Sequence, residues 1–211
     1  MQIVGHGLGC IELGAKTPSG EVRLVADPYQ NTTGFRFPRT LEAEIVTQSL
    51  PRADWANPEA VGGNPFLISM PGEYEVRQLF VYGFRAPLRG GEEHTIYRYE
   101  LDRLSLLHLG ALDRKPTDEE LEQVGDVDIL VLPIGGGAVL GVSDAAELVQ
   151  VIEPRIVIPI WYGESKIPLK EKDAKRFVSE LGAKHVEETA KFKCTRAMLP
   201  EEDMQVILLS R

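Results

Sequence analysis

Two apolar runs in the second half of the chain constrain its fold most: DILVLP at 128–133 and RIVIPI at 155–160. Runs of this length, bounded by turn-forming residues, read as strands buried inside a domain. Between them, Ser143 with Ala146 and Glu147 opens a helix that runs through Ile152. Before the first run, Thr117 and Glu120 have capping-box spacing, which predicts a helix to about Val124. After the second, 169–181 is amphipathic and closed by Gly182, and 204–209 reads as a last strand. The first half has no such alternation. Strand patterns fall at 10–13, 22–26, 44–47, 74–76, 79–82, 95–101 and 104–107. Turn residues 17–20 separate the first two, and Asp102-Arg103 suits a two-residue hairpin between the last two. Strands first, then strands alternating with helices, predict a mixed α/β fold in which helices cover sheets. With no solenoid-length repeat and no linker-like stretch, 1–211 reads as a single domain.

Composition narrows the class. Of 211 residues, 43% are apolar and 26% charged, which suits a soluble globular protein. No stretch reaches the roughly 18 apolar residues of a membrane helix, and the first residues lack a signal-like basic and apolar pair of regions. Two cysteines, Cys10 and Cys194, without CxxC spacing suggest neither a disulfide framework nor a thiolate zinc site. The expected location is the cytoplasm. A formal net charge of −9 disfavours phosphate backbones. The densest basic segment, 166–176, interleaves Glu171 and Asp173 with its Lys and Arg and reads as a solvated helix face, so neither nucleic acid nor membrane is an expected partner.

Several short motifs recur in order from about residue 7 to residue 209. They are Gly7-Leu8-Gly9-Cys10, Val25-Ala26-Asp27-Pro28-Tyr29, Glu42-Ala43-Glu44-Ile45-Val46-Thr47 and Gly63-Asn64-Pro65. Pro71-Gly72-Glu73-Tyr74-Glu75-Val76, Val81-Tyr82-Gly83, His108-Leu109-Gly110 and Gly125-Asp126-Val127-Asp128-Ile129-Leu130 follow. Pro133-Ile134-Gly135-Gly136, Ile156-Val157-Ile158-Pro159 and Leu199-Pro200-Glu201-Glu202 complete the series. Jointly they resemble the metallo-β-lactamase superfamily, in its branch of small Zn-dependent hydrolases. The resemblance implies an αββα sandwich with one or two metals at one edge, between the sheets. It also implies a ligand run Thr-x-Ser-His-x-His-x-Asp-His, whose imidazoles and carboxylate hold cations that acidify a bound water and polarise the scissile group.

Here that run reads Thr47-Gln48-Ser49-Leu50-Pro51-Arg52-Ala53-Asp54-Trp55. Leu50, Arg52 and Trp55 stand at the three histidine positions, and only Asp54 keeps its type. Ala111 replaces the bridging Asp after His108-Leu109-Gly110, and Trp161 replaces the last His after Ile158-Pro159-Ile160. The remaining family His is missing from Phe84-Arg85-Ala86-Pro87, and His94 falls at a strand start and is not counted. Leucine, alanine and tryptophan offer zinc no useful lone pair, and the permanent cation of Arg52 repels a metal.

The primary expectation is therefore a non-catalytic homologue that binds a small molecule or scaffolds a protein, with no catalytic residue assigned, no metal and no cofactor. The alternative is a metal-dependent hydrolase with a site rebuilt around Asp27, Asp54 and His108, with His6 in reserve and zinc as cofactor. That alternative requires those side chains to converge within about 2.0–2.2 Å of one point. A third expectation pairs the chain with itself or with a catalytically intact relative. Arg52 with Asp54 reads as a structural ion pair, or else as a binding site for a charged ligand in the old cleft, and His108 as a satisfied core histidine. The resemblance implies that Asp27 supports the metal loop by hydrogen bonds; here it reads as a turn cap beside Pro28 rather than a general base. Trp55 and Trp161 should fill the emptied pocket or clamp a ligand. His6 lies near the start and His185 after the last long helix, each without a visible partner. Gly135-Gly136-Gly137 lacks a phosphate-loop pattern, and no Gly-x-Ser-x-Gly nucleophile elbow occurs.

Overall fold

In the first segment, polar and apolar residues alternate so that one face of each strand can be buried. β1 (Gln2–Gly7), β2 (Cys10–Thr17) and β3 (Gly20–Ala26) form an antiparallel meander in which Leu13 pairs with Ile3 on one side and Leu24 on the other. Ile11 and Leu13 point inward, while Glu12 and Lys16 face out. β4 (Ile45–Thr47) and β5 (Phe66–Ile68) extend this sheet in parallel with β3. The structure, a computed structural model, describes residues 1–161 and 171–210.

β6 (Gly72–Val76), β7 (Leu79–Arg85), β8 (Thr95–Leu101) and β9 (Leu104–His108) form a second antiparallel meander. Asp102 and Arg103 both have positive φ, 55° and 61°, as a type I′ hairpin turn requires. Next come α1 (Asp118–Val124), β10 (Ile129–Pro133), α2 (Val142–Ile152), β11 (Ile156–Ile160) and α3 (Glu171–Leu181), followed by β12 (His185–Thr189), β13 (Lys191–Lys193) and β14 (Gln205–Leu209). The expected capping box is present: Glu120 N donates to Thr117 Oγ1, and the Glu120 carboxylate accepts from Thr117 N. β9, β10, β11, β14 and β12 run parallel, so the runs 128–133 and 155–160 are neighbours buried on both faces.

The sheets are ordered β13-β1-β2-β3-β4-β5 and β12-β14-β11-β10-β9-β8-β7-β6. One apolar cluster lies between them and a second lies under the helices, the arrangement of the metallo-β-lactamase fold. Among the described residues the helices gather on the eight-stranded sheet: α1 beside β7, α2 on β10 and α3 on α2. Leu24 and Val25 face opposite sides of β3, yet both are fully buried. Tyr29, Phe37, Leu41 and Val61, carried by loops and single 3-10 turns, join the same cluster and cover this sheet.

Several expectations need correction. β1, β5, β12 and β13 were not anticipated, and His6 lies within β1 rather than in a loose start. α2 begins at Val142 with Gly141 at its N-cap, because the Ser143 hydroxyl accepts from Arg176 Nη2 instead of capping. The expected start of the third helix at 169–170, and the part of the basic segment before Glu171, lie outside the described residues. In the described part, Arg176 pairs with Glu180 one turn on, 2.7 Å away. No described helix is long and apolar enough to cross a membrane.

Candidate functional site

β3, β4, β9, β10 and β11 run in parallel registers within their sheets, so their carboxyl ends open toward the edge where α/β proteins place ligands. Asp27 follows β3, Ser49 follows β4 by two residues, His108 ends β9 and Trp161 follows β11. Leu8 and Gly9 arrive from the β1–β2 turn. Leu8, Asp27 and Trp161 have φ of 53°, 50° and 59°, a left-handed conformation that bulky residues rarely adopt. Such strain costs on the order of 1–3 kcal/mol per residue and gathers at functional sites. Backbone bonds hold it in place: Asp27 N donates to Thr47 O (2.9 Å), and Trp161 N donates to Leu8 O (3.0 Å).

The Asp27 carboxylate is gripped by Ser49. Ser49 N donates to Oδ1 and Ser49 Oγ to Oδ2, both at 2.6 Å. Ser49 O in turn accepts from Thr95 N, tying this loop to β8. Gly110, with φ +58°, leaves the room this requires, since a Cβ there would sit 2.1 Å from Ser49 Oγ. Fully buried His108 has Nε2 2.9 Å from Gly9 O, so Nε2 carries the proton and donates. Its Nδ1, 3.8 Å from Asp27 Oδ2, has no hydrogen bond. Burial pushes the His108 pKa down, against the opposing pull of Asp27, so the ring is neutral.

Above this pair the cleft is closed by aromatic and apolar groups. The Trp55 and Trp161 rings have centroids 5.0 Å apart, tilted by 47°. Together with Leu8, Leu50, Ala111, Ser49 and Asp27 they leave a cavity of ≈ 30 Å³. Trp161 is 6% exposed, so it fills most of the cleft and walls the small space that remains.

The remaining candidates lie elsewhere. Asp54, 63% exposed, is bound through both oxygens by Arg52 at 3.1 and 2.7 Å, and Arg52 also lies 3.7 Å from Glu92. This pair lowers the Asp54 pKa and raises that of Arg52. Asp27 and His108 come together and Asp54 does not join them. His6 pairs with Glu12 at 3.1 Å and His185 lies 3.9 Å from Asp203. Asp27 grips the backbone and hydroxyl of Ser49 rather than only capping its own turn, and His108 has one satisfied nitrogen, not two. His94, left uncounted from the sequence, is 1% exposed, and burial pushes its pKa down to about 4. Ser49 and Gly110 were read only as motif letters; their cue was the retention of Ser49 and Gly110 beside replaced ligands.

The donor set does not fit a zinc centre. Leu50, Arg52, Trp55 and Trp161, which the sequence resemblance aligns with nitrogen ligands, offer zinc no such donor, and Asp54 is turned to its own arginine. Among the described residues no three His, Cys, Asp or Glu side chains are grouped to hold a metal ion.

A sequence profile described as the Beta-lactamase superfamily domain matches residues 16–161. A UPF0173 protein of Pyrococcus furiosus is 35% identical over 99 residues, 44% of each chain. A UPF0173 metal-dependent hydrolase of the same organism is 34% identical over 86 residues, 40% of this chain and 38% of that protein. These matches thus span less than half the length of either relative. A solved structure from Thermotoga maritima, described as a Zn-dependent hydrolase of the metallo-β-lactamase superfamily, superposes with a TM-score of 0.79 at 22% identity, covering 99% of this chain and 97% of that one. The chain belongs to the metallo-β-lactamase superfamily, among relatives named as metal-dependent hydrolases. Those names favour the hydrolase alternative over the expected non-catalytic scaffold and suggest a metal cofactor for the relatives.

Proposed function

We propose that this hydrolase-family chain binds a small molecule in the tryptophan-lined cleft and does so without a resident metal. One observation carries the reading: Trp55 and Trp161, which the resemblance aligns with two ligand positions, pack against each other and line one small cavity with the Asp27 carboxylate. Ligand pockets pair apolar and aromatic walls with a few fixed polar groups, and the Ser49-gripped Asp27 is such a group. Metal analysis of the purified protein with phosphodiesterase, lactonase and amidohydrolase assays tests it. Stoichiometric zinc accompanied by turnover would defeat the proposal.

A second reading is metal-dependent hydrolysis at a rebuilt site, favoured by the names of the relatives and by the approach of His108 to Asp27. It requires a metal to use the lone pairs of Asp27 that Ser49 leaves free, and Asp54 to leave Arg52. The same metal analysis separates the two.

A further inference from the structure

We propose that the cleft is a receptor for a primary alkylammonium group, an organic cation in the place where the fold family keeps a metal cation. This rests on the metal-free binding reading above and adds the charge, size and head-group chemistry of the ligand.

The Asp27 side chain is only 16% exposed and accepts two hydrogen bonds from Ser49. Among the described residues no Lys or Arg nitrogen lies within 4 Å of it; the sole basic neighbour is His108, which is neutral. The carboxylate thus has hydrogen bonds but no counterion among the described residues, and an arriving cation would supply one. Each carboxylate oxygen has a second lone pair beyond the one that Ser49 engages. Two indole rings line the same cavity, and an indole face presented to it would attract a cation.

Size selects the head group. The cavity of ≈ 30 Å³ exceeds the about 10–15 Å³ that one water needs, but it falls far short of the room for a quaternary ammonium. An –NH3⁺ group with its first methylene fits beside Asp27, in a space walled by Leu8, Leu50 and Ala111. The loop that carries Leu50 and Trp55 ends its polar side in one guanidinium, Arg52, set against two carboxylates, Asp54 and Glu92. That balance and the formal net charge of −9 draw cations toward the site.

Trp55 and Trp161 are the only tryptophans in the chain, so selectively excited tryptophan fluorescence reports this cleft alone. The experiment titrates the metal-free protein at constant ionic strength with n-butylammonium, Nα-acetyl-lysine amide, tetramethylammonium, butyrate and n-butanol. A saturable change is expected with a primary ammonium and none with the last three. Stronger binding of the lysine derivative assigns a lysyl source, and stronger binding of butylammonium a free amine. Trp55→Leu, read through Trp161, should weaken binding roughly tenfold. Asp27→Asn should abolish it; because that change also disturbs Ser49, circular dichroism checks its fold and Trp55→Leu stands as the independent variant. No saturable response to either primary ammonium, an equal response to tetramethylammonium, butyrate or butanol, or unchanged affinity in Trp55→Leu would overturn the proposal. Zinc with turnover would instead overturn the metal-free reading, so the two failures are distinguishable.

Discussion

Gly110→Ala tests the architecture of the site most directly. The glycine has φ +58°, and a Cβ built on it lies 2.1 Å from Ser49 Oγ, 2.4 Å from Ser49 Cβ and 3.1 Å from Asp27 Oδ2. Two costs add. A non-glycine residue in the left-handed region costs about 1–2 kcal/mol. Ser49 must also move, which weakens its charge-assisted bonds to Asp27, each worth about 1.5–3 kcal/mol. The expected loss is about 3–6 kcal/mol, a large share of the about 5–15 kcal/mol that holds a domain together. For a chain of this length that lowers Tm by roughly 10–20 °C. Gly137→Ala is the control: its φ is +65°, but nothing lies within 4 Å of the added Cβ. It should cost only the backbone term, about 1–2 kcal/mol. Urea unfolding of both variants measures the difference. If the two lose the same stability, the contact with Ser49 does not organise the site as argued.

Two further outcomes concern stability away from the cleft. The unfolded chain protonates His94 near the usual histidine value, while burial holds the folded pKa down to about 4. Stability from this residue is therefore complete above about pH 6.5 and is lost as pH falls toward 4, by about 3 kcal/mol in total. Urea midpoints between pH 7 and 4 should show that fall, and His94→Asn should flatten it; an unchanged slope in the variant rejects the assignment. Arg103→Gly should stabilise the β8–β9 hairpin by about 0.5–1 kcal/mol, because Arg103 has φ 61° at the second turn position. A lower Tm in that variant would show that the Arg103 side chain outweighs its backbone strain.

The second half of the fold was legible because its signals are local and strong. Thr117 and Glu120 cap the first helix, and 128–133 and 155–160 are uniformly apolar because parallel neighbours bury both of their faces. Strands such as His185–Thr189 escaped because four of their five side chains are exposed and carry no periodic burial. Lys191–Lys193 is only three residues long and earns its strand geometry from pairing with Gln2–Val4 at the far end of the chain, a contact that no local pattern announces. At the site, the resemblance implied that Asp27 supports the metal loop by hydrogen bonds, and it does bond that loop. Its partner, Ser49, could not be read, because the grip depends on two loops from different strands meeting across 22 positions. Nor could the turning of Asp54 toward Arg52, a choice of side-chain direction rather than of residue type.

The resemblance implies a metal at this edge, while among the described residues the side chains group no ligand set for one. Leu8, Asp27 and Trp161 are held in left-handed conformations that none of them favours by itself, and Ser49 and Gly110 are arranged around Asp27. If the side chains alone exclude zinc, restoring the donors on this backbone should restore binding. Leu50→His, Arg52→His, Trp55→His, Ala111→Asp and Trp161→His in one variant supply imidazoles and a bridging carboxylate. Arg52→His also releases Asp54, whose two oxygens are otherwise held by the guanidinium. Zinc attached through such a set stabilises the folded state by mass action, so Tm should rise with added zinc in the variant and stay constant in the parent. Metal analysis after dialysis should find at least one zinc per chain in the variant. A folded variant that takes up no zinc would mean that the loop geometry, and not the donor chemistry alone, has left the metal-binding arrangement.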